Sequence, residues 1–154
     1  MEMRPLVARD ASALHALDQR CFPPGIAYSM AEIRGALATA GGFHRGYGSE
    51  DGIAAFILTV PARRVGIRAG PRWGHIITVD VDPNHRRAGL GRSLMLAAEA
   101  HYAALGAPGV RLEVAVNNAP ALAFYAGLGF RVVKPLPGYY AGDVDGLQME
   151  KSLA

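Results

Sequence analysis

The chain has 154 residues, 51% of them hydrophobic and 19% charged, with a formal net charge of +3. That length is enough for one domain with its own core, and that balance excludes a disordered chain. Arginine carries nearly all the positive charge, since Lys134 and Lys151 are the only lysines; a mild basic excess favours anionic partners without marking a nucleic-acid surface.

Cys21 is the single cysteine, so no internal disulfide and no thiolate metal cluster can form. Nothing around it signals a nucleophile, and it reads as a small apolar residue. His15, His44, His75, His85 and His101 fall on separate elements without ligand spacing, and no metal is expected. Met1-Glu2-Met3-Arg4-Pro5 lacks the pattern of a signal peptide. The longest apolar run, residues 53–60, is too short to cross a bilayer, so a cytoplasmic protein without membrane contact is expected.

No repeat or linker breaks the chain, which predicts one domain over 1–154. Residues 3–8 read as a first strand. Asp10 stands as an N-cap before a helix that turns Leu14, Leu17 and Cys21 inward, and Phe22-Pro23-Pro24-Gly25 breaks it. Ser29 and Glu32 have capping-box spacing at the start of a second helix carrying Ile33, Ala36 and Leu37. Gly41-Gly42 turns into a strand over 43–48, and Glu50-Asp51-Gly52 is a hairpin signal leading to a strand over 53–60. The loop over 61–72 is rich in Arg, Gly and Pro; it reads as solvated surface or as a contact for an acidic partner. A strand over 74–81, a glycine-containing loop and a helix over 89–105 closed by Gly106 follow. Then come a strand over 110–116, a helix over 119–128 ended by Gly129, and closing strands over 131–134 and 144–153. Hairpin-paired strands followed by strands alternating with helices predict an α/β (α+β) fold, a mixed sheet with helices on both faces.

Most of the chemistry is written in Val79-Asp80-Val81-Asp82-Pro83-Asn84-His85-Arg86-Arg87-Ala88-Gly89-Leu90-Gly91-Arg92. A strand ends, the chain turns, and a helix begins around two glycines, so successive N–H groups converge with the helix dipole behind them. Arg86, Arg87 and Arg92 add charge at the same point, which suits a pyrophosphate. A P-loop is excluded, because Arg86 stands where its first glycine belongs and Arg92 where its lysine belongs. A dinucleotide fingerprint fits poorly, with Leu94 at its third glycine, though Glu113 lies about where a ribose-binding acid could be. A plain helix start with solvated arginines is the bland alternative.

In the strand over 110–116, Val110, Leu112, Val114 and Val116 share one face, and Arg111, Glu113 and Ala115 the other. A mid-strand glutamate under a covered face needs a reason: a reactive role, a pairing with Arg111, or an edge position. Tyr125, on the following helix, reads either as a reactive hydroxyl or as a core aromatic with its hydroxyl at the rim.

Val81-Asp82-Pro83, Arg86 to Arg92, Leu112-Glu113-Val114, Asn118, Ala123-Phe124-Tyr125 and Leu128-Gly129-Phe130, with a looser tail of Tyr139-Tyr140, Asp145 and Met149, resemble the GNAT acetyltransferase superfamily. The second half is most similar to its ribosomal-protein alanine and N-terminal acetyltransferase branch. That resemblance implies a mostly antiparallel central sheet of about 6–7 strands and acetyl-CoA as co-substrate, with no metal. It implies that the backbone of Val79, Asp80 and Val81 lies along the pantetheine arm, with the Val81 N–H facing the thioester carbonyl. Arg86, Arg87, Ala88, Gly89, Leu90, Gly91 and Arg92 would hold the pyrophosphate, and Asn118 and Tyr125 would also touch the cofactor.

Amine acetylation must take a proton from the amine and give one to the thiolate, tasks for a carboxylate and a tyrosine. The resemblance assigns these to Glu113 and Tyr125, with Asp80 as a rival base. Phe22 and Tyr28, and the Pro137-Gly138 segment with Tyr139 and Tyr140, are candidates to select the acceptor, which could be a protein N-terminus such as that of a ribosomal protein. A small-molecule amine acetyltransferase and a non-catalytic CoA-binding regulatory module are the alternatives. Asp143 to Gln148 and the arginine loop depart from the branch. No nucleic-acid or membrane partner is expected, and either a monomer or a homodimer.

Overall fold

The computed structural model describes the chain except Glu50, Asp51 and Val65, so the expected turn at Glu50-Asp51 lies outside the described residues. The elements are β1 (Met3–Pro5), α1 (Ala11–Cys21), α2 (Met30–Ala38), β2 (Phe43–Ser49), β3 (Gly52–Ala62), β4 (Trp73–Val81), α3 (Leu90–Ala104), β5 (Gly109–Ala115), α4 (Ala119–Gly127), β6 (Arg131–Tyr140) and β7 (Val144–Ser152). They build one 7-stranded sheet in the order β1-β2-β3-β4-β5-β7-β6. Every neighbouring pair is antiparallel except β4 and β5.

β3 shows why helices must cover both faces. Its Ala55 and Ile57 pack with Leu94, Met95, Ala98 and Tyr102 of α3, while Phe56 and Leu58 pack with Leu14 and Leu17 of α1 and Ile33 of α2. A strand that is apolar at successive positions can bury both sets of side chains only between two layers. Each such large side chain, withdrawn fully from water, contributes about 1.5–3 kcal/mol.

Local signals act as the residue chemistry dictates, with exceptions. Ser29 Oγ accepts the Glu32 N–H and Glu32 returns the bond to the Ser29 N–H, so the capping box is made on both sides. Asp10 precedes α1 but places no side-chain bond on it. It accepts the Val7 N–H at 2.8 Å and pairs with Arg4 at 3.0 Å, fastening a 3-10 turn over Ala8–Asp10 that cuts the first strand short of its expected end at Ala8. Val116 falls beyond β5 and is exposed instead of buried with Val110, Leu112 and Val114. The largest difference is at the C-terminus, where β6 runs on through Pro137-Gly138-Tyr139-Tyr140 with a register shift between Leu136 and Tyr140. An edge strand tolerates Pro and a bulge, which is how that segment, beyond the expected strand end at 134, stays in the sheet.

The feature that positions the site is a split in the sheet. β4 and β5 pair only at Gly74↔Val110 and His75↔Arg111. Beyond that point each keeps its antiparallel partner, β4 with β3 as far as Val81 and β5 with β7 as far as Ala115. The two strands part while both remain anchored.

Candidate active site

The split opens a cavity of about 510 Å³. Its walls bring together Val79, Asp80 and Val81 from β4, Glu113 from β5, Tyr125 from α4, and Arg86, Arg87, Gly89, Leu90, Gly91 and Arg92 from the loop and start of α3. Asn118, Phe22, Tyr28 and Tyr140 line it as well. Of the residues expected in a site, Ala88 and Tyr139 are outside this lining, and both are exposed.

Backbone polarity along β4 follows from one bond. The Asp82 N–H donates to the Ala54 carbonyl at 2.8 Å, toward β3. In an antiparallel ladder alternate residues point their N–H and C=O groups to opposite sides. Val81 and Val79 therefore turn their main-chain groups away from β3, into the gap where β5 no longer pairs. The Val81 carbonyl there receives Arg86 Nε at 3.2 Å and Cys21 Sγ at 3.5 Å. Ile77 is the residue the β3–β4 register skips, and its carbonyl accepts the Tyr28 hydroxyl at 3.0 Å.

The start of α3 is built as an anion cradle. Gly89 is its N-cap with φ of +79°, a left-handed conformation, and no side chain caps the helix. The first intrahelical donor is Ser93, whose N–H reaches the Gly89 carbonyl at 3.0 Å, so Leu90, Gly91 and Arg92 keep the orphan amides of a first turn. A Cβ on Gly91 would meet Phe124 and Val81 at 3.4 Å, ordinary contact, so packing alone does not demand glycine there.

α4 turns Pro120, Ala121, Phe124 and Tyr125, one helical stripe, to the cavity. Its N-cap is Asn118, whose Oδ1 accepts the Ala121 N–H at 3.2 Å, leaving the side-chain NH₂ as the donor it can offer a ligand. Burial pushes the Tyr125 hydroxyl well above its ordinary range, with the charges of Asp80 and Tyr140 adding to it, so it stays protonated.

Glu113 is held at both oxygens. Oε1 lies 2.7 Å from His75 Nε2 and accepts the Tyr139 hydroxyl at 3.4 Å, while Oε2 accepts Arg111 Nη1 at 3.0 Å. Burial pushes its carboxyl up, but His75, Arg111 and Tyr139 outweigh that and hold it below the usual carboxylate range. The pairing with Arg111 and the place in the cavity wall thus coexist. His75 was not singled out by the sequence; its register opposite Arg111 is what brings it to Glu113, a signal only the parallel pairing supplies.

Other residues take structural places. The Cys21 thiol lines the cavity but burial pushes it up to about 11, with Asp80 adding, so it is no thiolate near neutrality. In the arginine loop, Arg64 forks onto buried Glu150 at 2.9 and 2.5 Å and stacks on Trp73, and the Arg63 carbonyl accepts Arg111 Nη2 at 3.4 Å. This ties part of the loop to the sheet. Among the described residues no group of three His, Cys, Asp or Glu is gathered for a metal.

Similar proteins include acetyltransferases. The chain is 40% identical over 81 residues to an N-alpha-acetyltransferase of Sulfurisphaera tokodaii, covering 52% of this chain and 48% of that one. A mycothiol acetyltransferase of Saccharomonospora viridis is 32% identical over 142 residues, covering 87% of this chain and 46% of that one. The chain thus spans about half the length of the curated relatives it matches. The crystal structure of the ribosomal-protein-S18-alanine N-acetyltransferase from Escherichia coli superposes with a TM-score of 0.83 at 23% identity, over 99% of this chain and 94% of that one, a likeness of fold. The sequence matches the Acetyltransferase (GNAT) family over residues 11–130, and the chain belongs to that family.

Proposed function

We propose that this chain is a single acetyltransferase domain over residues 1–154 that moves an acetyl group from acetyl-CoA to a primary amine in the cytoplasm, with a protein N-terminus as the acceptor. One observation carries the reading: the gap between β4 and β5, with strand-edge amides on one wall and Glu113 on the other, opens onto the uncapped start of α3.

The residues present fit the cofactor. The free edge of Val79–Val81 suits the amides of a pantetheine arm, and the first-turn amides with Arg86, Arg87 and Arg92 suit a diphosphate. The NH₂ of Asn118 is a further donor to that arm. Acetyl-CoA supplies the acetyl group as an activated thioester. The Val81 N–H, turned into the gap, would be the donor for negative charge growing on the thioester carbonyl oxygen. Glu113, kept ionised by His75 and Arg111, draws the acceptor's ammonium and takes its proton, through water. Tyr125, kept protonated, gives its proton to the departing sulfur. Binding alone needs neither group, which speaks against a regulatory module without turnover.

Phe22, Tyr28 and Tyr140 wall the acceptor end, with Tyr139 across Glu113. The N-alpha-acetyltransferase relative supports a protein N-terminus there. A small-molecule amine is the second reading, supported by the mycothiol acetyltransferase match across most of this chain. Mass spectrometry of a panel of N-terminal peptides and small amines, incubated with protein and acetyl-CoA, separates the two. Acetylated peptides are expected; products confined to small amines would overturn the peptide acceptor, and no product with any acceptor would overturn the enzyme.

A further inference from the structure

Two buried acids stand apart from that chemistry. Asp18 on α1 is 0% exposed and Asp80 on β4 is 1% exposed, and Asp18 adjoins Asp80 closely enough to act on its carboxyl. Asp18 Oδ2 accepts the Tyr28 N–H at 2.6 Å, and Asp80 Oδ1 accepts the Thr78 hydroxyl at 2.5 Å. The remaining oxygens, Asp18 Oδ1 and Asp80 Oδ2, are both buried without a hydrogen-bond partner, and no ion pair reaches either acid among the described residues. Two carboxylates in such a place cannot both be ionised without a large penalty. A single proton shared by the two carboxyl groups removes that penalty, and the Tyr28 amide and Thr78 hydroxyl then stabilise the one charge that is left.

The pair joins two parts of the cavity. Tyr28 ends the loop over 22–29 and is fixed at three points: its N–H on Asp18, its carbonyl receiving Gln19 Nε2 at 3.0 Å, and its hydroxyl on the skipped Ile77 carbonyl. Asp80 lies between Val79 and Val81, the residues whose amides face the gap. We propose that Asp18 and Asp80 are positioning residues which, through one proton held between them, fasten the loop between α1 and α2 to β4 and so shape the acceptor end of the cavity. The assignment of that end rests on the acyl-transfer reading above; the proton-bridged contact does not.

Losing the proton leaves two like charges in contact under cover, and the loop is released. Burial first, and then the adjoining Asp18, hold the Asp80 carboxyl well above its ordinary range. A raised acid stabilises the fold fully below its unfolded value, near pH 4, and that stabilisation drains away as pH climbs through the folded value. The groups facing the pair do not confuse the reading below about pH 9. Burial pushes the Cys21 thiol on α1 up to about 11, Tyr28 on the loop and Tyr125 on α4 are pushed higher still, and Glu113 on β5 is held low.

The test uses the whole chain and the variants Asp18→Asn and Asp80→Asn, each of which replaces the shared proton with an amide donor that cannot be lost. Melting temperature from about pH 5 to about pH 9, without substrate, should fall for the wild type relative to both variants as pH rises. Acceptor KM for a peptide acetylated by the wild type should rise up to about tenfold per pH unit past the pair's titration, with a flatter profile in either variant. Parallel stability profiles in all three proteins would overturn the shared proton. Lost turnover at every pH in Asp80→Asn, with acceptor KM unchanged, would overturn the positioning role and make Asp80 the proton acceptor. Absence of any acetylation would sink the acyl-transfer reading and leave the stability comparison intact.

Discussion

The cavity has two ends built on different principles. The end at β4 and α3 is made of main chain: amides of Val79 and Val81 turned into the gap, and the orphan amides of a helix start behind Gly89. The end at β5, β6 and the loop between α1 and α2 is made of side chains: Glu113 gripped by His75, Arg111 and Tyr139, and Tyr28 bonded across to β4. On the proposed function, main-chain donors would hold the invariant part of the acetyl donor, its pantetheine amides and diphosphate. Side chains can be exchanged one at a time, so on the proposed function the second end is where an acceptor would be chosen. A split parallel pair lets one sheet serve both purposes, because its strands stay rigid on their outer neighbours.

The strongest way to break that division is at Glu113. Glu113→Gln keeps the shape and a partner for Arg111 but removes the charge, and turnover is expected to fall about 10²–10⁴-fold with acetyl-CoA affinity nearly intact. Because the carboxyl lies below its usual range, activity carried by its charge persists as pH falls toward the ordinary carboxylate value and disappears only below it. A steady-state comparison with calorimetry of cofactor binding checks both statements; an unchanged rate moves the proton elsewhere. Tyr125→Phe is expected to act in the same column, about 10-fold or more on turnover, with little change in melting temperature since its ring contacts with Phe124 and Phe130 survive.

At the main-chain end, two glycines separate folding from binding. Gly89→Ala forces a side chain into a left-handed residue and should cost about 1–2 kcal/mol of stability along with cofactor affinity. Gly91→Ala has an ordinary φ and only van der Waals contacts waiting for its Cβ, so stability should hold within about 0.5 kcal/mol. Its cofactor affinity should nevertheless fall about tenfold, because the new methyl stands in the wall where the ligand approaches. Equal affinity in Gly91→Ala and wild type, by titration calorimetry, would show that the ligand does not come to this turn.

Legibility from sequence follows the same division. The main-chain end could be read because it is local: a strand, a turn and a helix start within residues 79–92 are contiguous, and glycine and arginine spacing records their geometry. Alternation in β5 likewise put Glu113 on the face opposite Leu112. What was out of reach came from distant elements. His75 meets Glu113 only through the parallel register of β4 and β5, and Asp18 comes to Asp80 only because α1 packs against β4. The tyrosines at the tail carry no strand signal in the sequence, because Pro137 and Gly138 are turn residues in every local sense; edge placement and a bulge override them.

The smallest effects belong to the two tyrosine hydroxyls at the acceptor end, and their ratio sharpens the comparison. The Tyr28 hydroxyl is in a part-buried bond to a carbonyl that the β3–β4 ladder leaves out, so Tyr28→Phe strands that acceptor and should cost about 1–2 kcal/mol of stability. The Tyr139 hydroxyl reaches Glu113 at a long 3.4 Å from an exposed ring, a bond worth little because water replaces it. Tyr139→Phe should leave melting temperature unchanged and raise acceptor KM no more than about threefold. If instead Tyr139→Phe depressed turnover as deeply as Glu113→Gln, that hydroxyl would be part of the proton path, and the acceptor end would be chemically active across its whole width instead of at Glu113 alone.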